Sequence, residues 1–142
     1  MWDLDDQSQY KKVLDLQLPW AATWADIRPG HGDRDKRERI RERAVQLLPA
    51  GFQGVEKWAF RIVVSKGGRR RFDIENVAKP IIDAFCTRQI QSDHSKYTTL
   101  GLYPDDSLDH VVVLEVAGSR VVGKEETTRV EIFVVRREAA AG

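Results

Sequence analysis

Residues 12–18, KVLDLQL, set Leu14, Leu16 and Leu18 against Val13, Asp15 and Gln17 in alternation. A period of two describes a strand with one buried face. Pro19 ends it, because proline lacks the N–H that a sheet ladder needs. After the loop-like WAATWADIRPGHG the spacing changes. Over residues 33–48, Ile40, Ala44, Leu47 and Leu48 recur at helical intervals until Pro49 and Gly51 stop the helix. VEKWAFRIVV, residues 55–64, reads as a second strand, closed by SKGG.

A proline marks the next helix. Pro80 is tolerated only in a first turn, where no intrahelical bond is expected of its nitrogen, so the helix starts near Glu75 or Asn76 with one of them as cap. Val77, Ile81 and Phe85 then share the core face, and Asn76, Lys79 and Asp83 share another. Residues 87–104 are polar and irregular. LDHVVVLEVAG and TTRVEIFVVRR read as two strands joined by SRVVGKEE as a long hairpin. The order β-α-β-α-β-β predicts a small α+β domain, a mixed β-sheet of about four strands with two main helices. At 142 residues the chain is expected to be one domain, residues 1–142, with residues 1–10 and 138–142 as flexible ends.

Apolar residues make up 42% and charged residues 32%, which excludes disordered and fibrous classes. Net charge is +1 and points to no partner, but its distribution is uneven. Residues 61–71 hold five Lys or Arg and no acid, whereas residues 1–10 hold three aspartates and no base. Cys86 is the single cysteine, so an intrachain disulfide is excluded and a reducing compartment fits. The acidic start does not read as a secretory signal, and no apolar run approaches a membrane span. A cytoplasmic location without a membrane partner is expected.

The chemistry concentrates in KGGRRRFDIENVAKPIIDAF, residues 66–85. Arg69, Arg70 and Arg71 run into Asp73 and Glu75. One reading is a solvated loop whose charges cancel. The other is a site where Lys66 and the three arginines hold a polyanion while carboxylates hold a metal ion. Asp73 and Glu75 lie two apart at the end of an extended stretch, which aims both the same way. Lys79 follows one turn into the helix, and Asp105 with Asp106 form a second acidic pair before a strand. Carboxylates plus one lysine suit metal-assisted phosphodiester hydrolysis, since Mg²⁺ takes a few hard oxygen ligands and lysine stabilises charge on the phosphate.

Other candidates carry less. His31, His94 and His110 have no partner at zinc-ligand spacing, and no Walker-type loop is present. Cys86 reads as a small core residue. The tryptophans read as core or dimer contacts, with base stacking by Trp20 or Trp24 as the lesser alternative. The helix over residues 33–48 carries six bases against four acids in its first eleven positions, the composition of a solvated face.

Taken together, DIENVAKPIIDAF followed by YPDDSLDHVVVLEV resembles the RusA family of Holliday junction resolvases. That family shows an Asp-x-Asp-Asn-x-x-Lys run opening a helix, an Asp-Ala pair one turn later and a downstream Asp-Asp heading a strand. The matching positions are Asp73, Glu75, Asn76, Lys79, Asp83, Ala84, Asp105 and Asp106. Lys79–Pro80 and the early Leu18, Pro19, Trp20 also match. Glu75 stands where the family has Asp, and residues 87–103 are longer than the usual link.

The resemblance implies a homodimeric, Mg²⁺-dependent endodeoxyribonuclease, with Mn²⁺ as a substitute. It would cut four-way DNA junctions in recombination and repair. By position, Asp73, Glu75 and Asp106 would hold metal, with Asp105 as an additional ligand candidate, and Lys79 would be the catalytic lysine. Lys66, Arg69, Arg70 and Arg71 would contact DNA phosphates. A two-fold dimer presents two matching sites to a junction that needs two matching cuts. The alternative is a dimer of the same fold that binds branched DNA without cutting it.

Overall fold

A computed structural model describes residues 3–21, 33–48, 52, 55–67, 74, 77–121 and 126–136. Four strands, β1 (Tyr10–Leu18), β2 (Trp58–Lys66), β3 (Val111–Arg120) and β4 (Thr127–Val135), form one mixed sheet in the order β1-β4-β2-β3. β4 runs antiparallel to both β1 and β2, and β3 runs parallel to β2. The helices are α1 (Asp33–Ala44), α2 (Ala78–Ala84) and the short α3 (Thr87–Ser92), with a 3-10 turn at Thr98–Leu100. The α+β class, the four-stranded mixed sheet and two main helices agree with the sequence pattern.

β1 buries Leu14, Leu16 and Leu18 as its alternation requires. Leu14 and Leu16 sit in register with Ile132 and Val130 of β4, which pair in turn with Phe60 and Ile62 of β2. Ile40, Ala44, Val77, Ile81 and Phe85 close over this face, so both main helices contribute to one core. Each fully buried Leu, Ile or Phe there contributes about 1.5–3 kcal/mol. On the other face, Leu4 of the acidic leader packs with Tyr10, Ala59, Val113 and Phe133. Asp5 pairs with Arg61 at 2.9 Å, and Arg61 and Lys12 both hold the buried Glu131.

Three expectations change. β3 and β4 do not form a hairpin, because β2 lies between them. The reason is burial: Val130 to Phe133 are buried at four consecutive positions, which only a strand covered on both faces provides, whereas the second half of β3 is exposed. Residues 87–104 are not irregular throughout. They hold α3 and the 3-10 turn, anchored by Ile90, Leu100 and Tyr103, which are too sparse to make a period. Finally, α1 is not merely a solvated face. It ends at Ala44, and Leu47 is 52% exposed, while Arg37 and Arg41 point inward and are buried.

α2 starts at Ala78 with Val77 at the N-cap, so Pro80 does fall in the first turn. The helix therefore starts later than expected, and its cap is Val77 and not Glu75 or Asn76, which lie outside the described residues. So do Trp24, His31 and residues 138–142. Among the described residues no helix is long and apolar enough to cross a membrane.

Candidate functional site

The site forms where the end of α2 meets the turn before β3. The chain leaves α2, runs through α3 and the 3-10 turn, and returns alongside its starting point, with Cys86 and Tyr103 in a parallel bridge. Leu102 N–H donates to the Phe85 carbonyl at 2.9 Å, and Thr87 N–H donates to the Tyr103 carbonyl at 2.8 Å. The buried Tyr103 hydroxyl donates to the Ile82 carbonyl at 2.5 Å. Gly101 permits the close approach, since a Cβ there would collide with the Thr87 side chain. These contacts place the Pro104-Asp105-Asp106 turn beside α2.

Lys79 and Asp106, 27 residues apart, thereby meet. The Lys79 ammonium donates to Asp106 Oδ2 at 2.8 Å and to Asp83 Oδ1 at 3.2 Å. The Lys79 and Asp106 side chains are 51% and 41% exposed, but that of Asp83 is only 8% exposed. The hydrogen bond to Asp106, more than the field of Asp83, holds Lys79 protonated above the usual lysine range despite partial burial. Burial pushes Asp83 upward, outweighing the attraction of Lys79 and Arg37, and Asp106 adds repulsion. Two carboxylates thus share one ammonium, and the cluster keeps a surplus negative charge.

Asp105 is exposed and engaged locally. Hydrogen bonds from Ser107, side chain and then backbone, lower its pKa, and the Ser107 N–H lies 3.0 Å from Oδ1. His110 places Nδ1 3.2 Å from the Glu56 carbonyl at the start of β3. Cys86 is buried, as expected of a core residue. Lys66, at the end of β2, pairs with Glu126 at 3.1 Å. Asp73, Glu75, Arg69, Arg70 and Arg71 lie outside the described residues. Ile74, between the two acids, sits in a turn whose carbonyl accepts the Val77 N–H at 3.1 Å, not in an extended stretch.

Hard oxygen donors already converge on one cationic position, that of the Lys79 ammonium, which suits an oxygen-preferring divalent ion. Among the described residues, however, no three His, Cys, Asp or Glu converge as a metal-holding group.

Sequence reasoning left two groups without a role. Asp83 has a readable signal, the i,i+4 spacing from Lys79. The other is the clamp on Asp93. Arg37 grips its carboxylate bidentately at 2.7 and 2.6 Å, Arg41 adds a bond at 2.9 Å and Gln89 one at 3.0 Å. Arg41 also donates to the Ala84 carbonyl at 2.7 Å, fixing the end of α2. Burial raises the Asp93 pKa, but the Arg37, Gln89 and Arg41 hydrogen bonds outweigh it and leave it lowered. No protein-family model matches the chain, and no curated protein matches it.

Proposed function

We propose that the protein is a metal-dependent, structure-selective endodeoxyribonuclease that acts as a cytoplasmic homodimer on four-way DNA junctions, by its motif resemblance to the RusA family. The observation that carries the reading is that Lys79, already paired with Asp83 on its own helix, meets Asp106 across 27 residues of sequence. All three are positions of the motif that resembles the RusA family. A half-exposed lysine beside a carboxylate surplus is the arrangement expected where a cation and a phosphate must be held together.

In this reading Asp106, with Asp73 and Glu75, holds Mg²⁺ or Mn²⁺, which supplies Lewis acidity toward the scissile phosphate. Lys79 donates to a non-bridging phosphoryl oxygen as charge builds there during attack by water. Arg69, Arg70 and Arg71, with Lys66, neutralise flanking phosphates and set the register of the DNA without reading bases.

Incubation with a synthetic four-way junction and a linear duplex, with and without Mg²⁺, tests this. The wild type cuts only the junction and only with metal. Lys79→Ala slows cleavage by on the order of 100-fold, as loss of one preorganised donor does, while leaving junction affinity nearly unchanged. A protein that binds junctions tightly yet never cuts them with either metal, even as Glu75→Asp, is a binding dimer instead. One that ignores both DNAs overturns the nucleic-acid reading altogether.

A further inference from the structure

Asp83 sits oddly for a residue that only supports the fold. α2 has seven residues, with Lys79 second and Asp83 sixth. Acids are favoured at helix N-termini and bases at C-termini, and a lysine preceding an acid by four residues is the weaker orientation of that pair. Both residues therefore stand at the unfavourable end of their helix. The Asp83 side chain is also 8% exposed, and burying a carboxylate is costly unless a partner offsets it. Its neighbours Ile82 and Ala84 are buried apolar residues.

What the placement does achieve is geometric. Asp83 is fixed by the surrounding core, and the Lys79 ammonium is tied to it at 3.2 Å while reaching Asp106 at 2.8 Å. Lysine is a flexible four-carbon stem, and a single exposed partner would leave its position loose. The α2 end that carries Asp83 is itself held by Arg41, which donates to the Ala84 carbonyl, and by Tyr103, which donates to the Ile82 carbonyl. Two side-chain hydrogen bonds thus hold the backbone carbonyls on either side of Asp83.

We infer that Asp83 is a positioning residue that holds the Lys79 ammonium at the reaction centre and keeps it there when Asp106 turns to a metal ion. This rests on the nuclease reading above. A divalent ion on Asp106 would draw charge from its carboxylate and repel the ammonium, weakening its hold on Lys79. A second anchor that does not ligate metal would keep the ammonium in place. The buried carboxylate provides it.

A double-mutant cycle with an independent spectroscopic readout tests this. Asp83→Asn keeps size and shape and should lower the single-turnover junction cleavage rate by about 10- to 100-fold, the scale of a misplaced catalytic group. Junction affinity should stay within about twofold, since a contact made in the transition state affects rate more than binding. On a Lys79→Ala background the same change should have almost no further effect, because residues acting as a unit are not additive. Asp83→Glu should restore part of the rate. In the metal-loaded protein without DNA, the ¹⁵N signal of the Lys79 ammonium should be held in the wild type and exchange-broadened in Asp83→Asn.

If the wild type cuts and Asp83→Asn cuts equally well, or if the two losses multiply, the positioning role is overturned and the nuclease reading stands. If the wild type never cuts, the nuclease reading fails and the inference falls with it. A variant that unfolds would show as lost backbone signals, and Asp83→Glu then decides: a folded Asp83→Glu protein with a broadened Lys79 signal and a slowed rate supports the role, and one with wild-type rate and a broadened signal overturns it.

Discussion

Two charged clusters flank α2 and α3, and they are built on different principles. At Asp93, two buried arginines and Gln89 surround one carboxylate with planar, bidentate geometry, and Glu38 adds a second carboxylate on Arg41 at 2.7 Å. At Lys79, two carboxylates share one half-exposed ammonium, leaving a negative surplus. Arginine forks saturate a carboxylate and lock elements together, whereas lysine is a point charge that can exchange partners. The first cluster ties α1 to the chain excursion after α2, and so fixes where the Asp105-Asp106 turn lands. The second is half-exposed to solvent. The long 87–103 segment therefore forms part of the support that assembles the site.

Breaking the saturated cluster should have the largest effect. Asp93→Ala leaves Arg37 and Arg41 buried without their shared anion, and loss of one partner from a buried pair destabilises by about 3–5 kcal/mol. Urea unfolding measures this, and a loss under about 1 kcal/mol would mean the clamp does not hold the fold. The pH dependence follows from the lowered Asp93 pKa. Its contribution is present above the unfolded aspartate value of about 3.9 and disappears as pH falls through the lower folded value, so the gap between wild type and variant should close in acid.

A divalent ion sharpens the contrast from the other side. Mn²⁺ at about 100 times its Kd should stabilise the protein by about 2.7 kcal/mol through mass action, and Asp106→Asn should remove most of that shift. Asp93→Asn, in contrast, should lower the starting stability and leave the metal-induced increment in place. An unchanged melting curve across millimolar Mn²⁺ would refute the metal site proposed at the Lys79 cluster.

The smallest effect carries the sign. Asp83 is raised by burial, the opposite of Asp93. A carboxylate with a raised folded pKa opposes folding above that value, and the opposition is relieved as pH falls through it. Asp83→Asn should therefore leave stability within about 0.5 kcal/mol or raise it near neutral pH, because it keeps the shape and removes a buried charge whose attraction to Lys79 does not outweigh its burial. Thermal unfolding from pH 7 to 4 checks it: any gain should shrink as pH falls. A loss of several kcal/mol at neutral pH would make Asp83 a second structural clamp.

Local patterns in the sequence by themselves determined the strands, the two main helices and the first turn of α2. Leu14, Leu16 and Leu18 had to share a face because side chains alternate, and Pro80 could stand only where its nitrogen had no bond to make. The motif around Lys79 was also legible, because its residues sit at fixed short spacings. Tertiary structure alone decided the rest. Strand order depends on which strand is covered on both faces, a property of neighbours far along the chain, so β4 took the centre and the expected hairpin did not form. Apolar periodicity cannot register Arg37 and Arg41 as core residues, since their burial depends on Asp93, more than fifty residues away. Lys79 and Asp106 meet only because Tyr103 and the Asp93 clamp return the chain to the end of α2, and such long-range closure leaves no periodic trace in the sequence.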